Sequence, residues 1–311
     1  AVKQTRHYYE IQRRIPAEVI GAMSELEPES EHAWAQARQD DDFSAFEPYL
    51  QKMLDFNKAL ADAIGYEGHP YDAIVYEYEP SMNADRLRVL FDNLRAGLLP
   101  LLERIKARGQ YEHDLWSHSY PFDKQKAFAL SVAREFGYDI QRGRLDIAPH
   151  PFEISFTRQD VRITTRYDEH YLPMALFGTL HETGHALYEQ RISPKLTRSA
   201  LTTDFLGQYA VGGTSYGAHE FSSRLWENQV GRSRAFWNVH FASLQETFPE
   251  QLASVDADGF FRAVNRVEPS LIRVEADEVT YNLHIMVRVE IELGLLDGSL
   301  AVKDLPEIWN A

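Results

Sequence analysis

Two histidines and a glutamate, His181, Glu182 and His185, stand in an H-E-x-x-H pattern within residues 172–190, LPMALFGTLHETGHALYEQ. On an α-helix, residues four apart lie one turn apart on the same face, about 6 Å along the axis. Both imidazoles can therefore reach one metal ion. Glu182 lies about 100° round from His181, too far to join the ligand plane but within reach of a water held on that ion. That is where metal-assisted hydrolysis needs a general base. The surrounding segment supplies the helix, because Met174, Phe177, Leu180, His181, Gly184, Ala186 and Leu187 recur at helical spacing. Gly184 costs a helix about 1 kcal/mol relative to Ala, which points to something packed close to the backbone there. The bland alternative is a core helix with two hydrogen-bonded histidines.

A catalytic zinc needs a third protein ligand. The chain has no Cys, so that ligand must be His or a carboxylate. Tyr188 and Arg191 occupy the places where the continuation H-x-x-G-x-x-H would put its Gly and His. Glu189 lies about 6 Å further along the axis than His185, too far to close the site easily. Glu220 is better placed, since it opens a downstream helix in residues 218–227, AHEFSSRLWE, while Asp204, Glu227 and Glu278 stay open as alternatives. Further on, Arg273 precedes Asp277, Tyr281 and His284, spaced four and three apart on one face. Read plainly, these form a buried polar network between helices.

The elements that must carry these residues are mostly helical. Residues 1–40 read as short helices broken at Pro16 and Pro28, with Asp40, Asp41 and Asp42 as a solvated helix start. Apolar stripes predict helices over 43–64 and 85–108, the second kinked or divided at Pro100. Residues 65–73 read as a loop, and 123–136 as a helix ended by Gly137. Residues 152–157 and 161–166 alternate with period two and read as a β-hairpin, whose edge could receive an extended peptide. Residues 191–217, with Gly207, Gly212, Gly213 and Gly217, form a long connection. Helices follow over 218–232, 233–248, 256–268, 275–296 and 304–310. No repeat or linker divides the chain, so 1–311 reads as a single domain.

A chain of 311 residues can bury a substantial core. Its formal charge of −15 and scattered Lys and Arg argue against a nucleic-acid or anionic-membrane partner. The absence of Cys fits a reducing cytoplasm. The first residues, AVKQTRHYYE, carry no apolar signal region, and no run of 18 apolar residues appears.

Five blocks then bring in a resemblance. His150-Pro151-Phe152, Asp160-Val161-Arg162-Ile163-Thr164, His181 to His185, His219-Glu220 with Ser223-Arg224-Leu225-Trp226-Glu227-Asn228, and Ile272-Arg273-Val274-Glu275-Ala276-Asp277 stand in that order. In this the chain resembles the carboxypeptidase Taq family of HEXXH zinc-dependent carboxypeptidases, from about Tyr9 onward. The resemblance implies a mainly α, elongated helical metallopeptidase fold with a small sheet beside the active-site cleft, commonly as a homodimer. It implies that His181, His185 and Glu220 hold Zn2+ or Co2+ and that Glu182 is the base. It makes Arg273, and Arg162 near the hairpin, candidates for gripping a peptide's C-terminal carboxylate, with His150 as a further substrate contact.

Three departures stand out. The family's His-Glu-Ser block reads His219-Glu220-Phe221, residues 191–217 are longer than usual, and the family's C-terminal G-x-x-Q-D-x-H-W block is absent. The expected reaction is attack by a metal-activated water on the scissile carbonyl, with Glu182 moving the proton and His219, Tyr281 or His284 assisting at the oxyanion. The competing readings are a shortened relative that binds metal or peptide without turnover and a purely structural helical dimer. An aminopeptidase fits less well, since Gly21-Ala22-Met23 runs into Ser24-Glu25 and not into a G-A-M-E-N strand.

Overall fold

A computed structural model describes residues 6, 9–79, 81–197, 199 and 216–310. In chain order the helices are α1 (Ala17–Asp40), α2 (Phe43–Ile64), α3 (Pro70–Tyr78), α4 (Ala84–Arg108), α5 (Phe122–Phe136), α6 (Leu172–Gln190), α7 (Tyr216–Arg224), α8 (Arg234–Thr247), α9 (Ala257–Val264), α10 (Tyr281–Asp297) and α11 (Leu305–Asn310). Between α5 and α6 run β1 (Leu145–Ile147), β2 (Glu153–Thr157) and β3 (Asp160–Thr165), and a π-helix, Leu225–Gly231, continues α7. The fold is mainly α with a small sheet, as the sequence predicts.

The described residues cluster into two compact units, Leu101–Tyr281 and the pair Val2–Pro100 with Asn282–Ala311. In the second unit, Ile11, Ile15, Ala61, Ile64 and Ala73 form one core, and Leu54, Leu295, Leu296 and Val302 another. Asp42 caps α2 by accepting from Ala45 N, and His69 with Asp72 closes a capping box on α3. Helix α3 therefore begins inside the stretch read as a loop.

Neither Pro28 nor Pro100 divides its helix. Pro28 lies inside α1 and Pro100 inside α4 without ending either helix. Each removes a hydrogen bond to the carbonyl four residues back. Ser24 and Ala96, which own those carbonyls, are exposed, so water can take the bond instead.

The first unit is built around α6, and most of its residues are buried. The N-terminal stretch of α6, residues 172–178, is apolar on every side and needs cover all round. Leu172, Leu176, Phe177 and Leu180 join Trp237, Phe241, Leu244, Phe248 and Phe260 in one core. Ala186 and Leu187 join Val161 and Ile163 of β3 in a second. The sheet runs in the order β1-β3-β2, with β2 antiparallel and β1 parallel to β3. The hairpin matches the expected one, while β1 is an addition, since three residues are too few to show a period.

Candidate metal centre

Helix α7 crosses α6 at Gly184, and this contact sets the site. A Cβ built on Gly184 would lie 2.5 Å from Ser223 Cα and 2.6 Å from the Ser222 carbonyl oxygen. Only glycine lets the two backbones come so close. Ser222 Oγ then donates to the Gly184 carbonyl at 2.8 Å, pinning the crossing. This is the close packing that an unfavourable residue in the middle of α6 implied.

The crossing brings one ligand atom each from His181, His185 and Glu220 within 4.8 Å of one another. Glu220 Oε2 lies 3.3 Å from His185 Nε2 and 3.8 Å from His181 Nε2. The two rings stand 78° apart with centroids 4.9 Å from each other. Two imidazole nitrogens and a carboxylate oxygen suit zinc or a similar divalent ion. The donor set fits for a second reason: the other nitrogen of each ring is already engaged. His181 Nδ1 lies 2.8 Å from Glu227 Oε2, and His185 Nδ1 lies 2.6 Å from His219 Nδ1.

Electrostatics follow from burial and this ring of charges. Burial pushes Glu182 up, the His181 charge opposes it, and Glu220 and Glu227 push it further, to about 7. Burial also works to raise Glu220, but the hydrogen bond with His185 and the charges of His181 and Arg224 outweigh it and hold the carboxyl at about 2. His181 is raised, because Glu227 outweighs a burial effect that pulls it down, whereas burial wins at His185 and lowers it. Arg224 donates to Glu220 Oε1 at 3.0 Å and to Glu227 Oε2 at 3.1 Å, tying the outer carboxylate to the inner one.

Glu227, which meets His181, lies in the π-helical segment Leu225–Gly231. Such widened turns recur at functional sites.

The other residues expected from the sequence divide. Tyr281 OH accepts from Arg273 Nη1 at 2.7 Å, and the Arg224 guanidinium lies 3.7 Å from the Tyr281 ring centroid. Arg273 and Tyr281 are thus joined to the carboxylate network through Arg224. Arg162 is not brought to it. Val161 and Ile163 of β3 pack with α6, so the pleat turns Arg162 to the opposite face, where it grips Asp160 with two bonds of 2.8 Å. His150 is exposed between β1 and β2, and His284 belongs to the second unit.

Of the open alternatives for the third ligand, Glu227 backs His181, Glu278 is exposed and 3.5 Å from Gln229 Nε2, and Asp204 lies outside the described residues. Most of the 191–217 connection also lies outside them. Two groups were missed as partners, Arg224 and Glu189. Glu189 is only 3% exposed and accepts from His219. No spacing rule points to it, because its partner comes from a different helix.

A family model described as "Carboxypeptidase Taq (M32) metallopeptidase" matches residues 1–311. Carboxypeptidase 1 of Bacillus subtilis (strain 168) is 40% identical over 311 residues, covering 100% of this chain and 60% of that protein. Thermostable carboxypeptidase 1 of Thermus thermophilus is 44% identical over 318 residues, covering 99% of this chain and 60% of that protein. The crystal structure of an M32 carboxypeptidase from Deinococcus radiodurans R1 superposes with a TM-score of 0.87 at 43% identity, over 99% of this chain and 60% of that one. The chain thus spans about 60% of the length of these relatives. Among the described residues, no helix is long and apolar enough to cross a membrane.

Proposed function

The chain belongs to the carboxypeptidase Taq (M32) metallopeptidase family, and from that premise we propose that it is a metal-dependent carboxypeptidase removing C-terminal residues from peptides. The observation that carries the reading is the convergence of His181, His185 and Glu220 within 4.8 Å, with Glu182 buried beside them. The relatives' names, carboxypeptidases all, support the same activity. Bound by those three residues, zinc or cobalt supplies Lewis acidity and brings the pKa of water to about 7.

The remaining steps belong to side chains. Glu182, buried beside the three ligands, is placed to take a proton from the attacking water and return it to the leaving amine. Arg273 is the first candidate for the peptide's terminal carboxylate, which a guanidinium holds with two parallel bonds. Tyr281 accepts from Arg273, so its own hydrogen is left to donate to the developing oxyanion. Arg162, the second candidate from the sequence, is turned away from α6 and held by Asp160, which leaves Arg273 as the group proposed for this role. His150 and His284 stay as proposed substrate contacts, and the edge strand β2 offers backbone groups to an extended peptide. We also infer one metallopeptidase domain over 1–311, supported by the family match, working as a cytoplasmic homodimer. The cysteine-free sequence suits that compartment, and the dimer rests on the resemblance.

The test uses a peptide blocked at its N-terminus, with timed release of C-terminal residues. Wild type should release them from the free acid and not from the C-terminal amide. Glu182→Gln should lower the rate by at least about a hundredfold while elemental analysis finds the same zinc content. Equal cleavage of amide and acid would refute exopeptidase action. A wild type that binds zinc and releases nothing would favour the non-catalytic reading.

A further inference from the structure

Both ring nitrogens of His219 are engaged, which removes it from the groups free to meet a substrate. Its Nδ1 lies 2.6 Å from His185 Nδ1 and its Nε2 lies 3.0 Å from Glu189 Oε1. The planes of the two imidazoles are 21° apart, close to the shared plane that an edge-to-edge N–H···N bond requires. Tyr188 packs beside His219 with ring centroids 4.8 Å apart.

The direction of these bonds can be worked out from the far end. An ionised carboxylate only accepts, so His219 Nε2 carries the hydrogen that meets Glu189. In a neutral ring the other nitrogen is then an acceptor, and His219 Nδ1 can only receive from His185. His185 therefore holds its hydrogen on Nδ1, and its lone pair lies on Nε2, the nitrogen 3.3 Å from Glu220 Oε2. The opposite set of tautomers would put a hydrogen on His185 Nε2 and close that nitrogen to a metal.

Glu189 cannot do this by itself. It sits one turn beyond His185 on α6, about 6 Å along the axis, and His219 from α7 spans that gap. His181, by contrast, meets its carboxylate, Glu227, directly at 2.8 Å. The two ligand rings are thus fixed by two different devices, a direct carboxylate and one extended by a histidine.

We propose that His219 and Glu189 form a positioning pair that holds His185 in the tautomer and orientation needed to bind the metal, so that His219 acts through His185 and not on substrate. The inference rests on the metallopeptidase reading above and concerns only residues of this chain. Groups of this kind commonly change metal affinity ten- to a hundredfold when removed.

The experiment measures zinc affinity of the full chain by competition with a chromophoric chelator, for wild type, His219→Phe, His219→Gln and Glu189→Leu. Phenylalanine keeps the flat ring beside Tyr188 and loses both nitrogens. Glutamine keeps a carbonyl that can accept from His185 and an N–H that can donate to Glu189. The expected result is a ten- to hundredfold loss for His219→Phe and Glu189→Leu, with His219→Gln recovering most of it. Zinc bound as tightly by His219→Phe as by wild type would overturn the pairing, as would a His219→Gln variant as weak as His219→Phe. Should Glu189→Leu fail to fold, as melting by circular dichroism would show, the two His219 variants decide. A wild type that binds no zinc would sink the proposed function itself, and this inference with it.

Discussion

Glu153 has no part in the ligand set, yet it is the acid whose proton affinity the fold disturbs most clearly away from the ligands. The register pairs Glu153 with Ile163 and Ser155 with Val161, so both side chains share the face of the sheet that packs with α6. Burial pushes the Glu153 carboxyl up, and Glu189 and Glu182 add to it, reaching about 8. One of its oxygens, Oε1, is buried without a hydrogen-bond partner. The consequence for stability has a definite sign. Below about pH 4.5 folded and unfolded chains both hold the proton. Between there and about pH 8 the unfolded chain gives it up while the folded one keeps it, so stability falls as pH rises through that window. Glu153→Gln, which resembles the protonated acid, should remove this loss. Urea unfolding should find the variant more stable than wild type by a wider margin at pH 8 than at pH 5. Equal margins at both would mean that the carboxyl is not held protonated.

At the scale of elements, the crossing of α6 and α7 is the decisive contact. Gly184→Ala sets two effects against each other: alanine favours the helix by about 1 kcal/mol, and overpacking costs about 1–3 kcal/mol. The atoms that the new Cβ would meet, Ser223 Cα and the Ser222 carbonyl, are backbone and cannot rotate away. The second effect should win, and α7 must shift with Glu220 on it. We expect a melting temperature lower by a few degrees, on the scale of about 2–4 °C per kcal/mol for a unit of this size, together with weaker zinc binding. Thermal melts with and without zinc check both, and a variant that melts no lower and binds zinc as tightly as wild type would contradict this account. The π-helix makes a related point. It carries Glu227, which meets His181, yet Leu225–Gly231 carries no compositional mark of a widened turn.

For the whole molecule, charge and metal binding act together. The chain carries a formal charge of −15, and in the first unit Glu182, Glu189 and Glu227 are buried or nearly so. A divalent cation held by His181, His185 and Glu220, as proposed, would offset part of this negative charge and would bind only where α6 and α7 are folded. By mass action, free zinc at about a hundred times its Kd adds about 2.7 kcal/mol to stability. Melting in zinc should therefore occur several degrees above melting in excess chelator, and the gap should widen with zinc concentration. A transition that ignores zinc at that concentration would show that the three ligands do not form a site.

The H-E-x-x-H helix was legible over its full length, Leu172–Gln190, because helical spacing is local geometry that repeats at every turn. The β2–β3 hairpin and α2 were legible for the same reason. Strand β1 was not, since its three residues gain their meaning from pairing with β3. Helix α10 starts at Tyr281, later than residue 275, because Asp277 accepts from the backbone of Val279 and Thr280 and holds a turn there. The sequence by itself determined that two imidazoles share a face with an acid beside them. Which distant carboxylate meets them, and which groups fix their rings, only the tertiary structure decided. Those pairings depend on how closely two helices approach at Gly184 and on buried hydrogen bonds between residues far apart in the chain, and neither leaves a period to read.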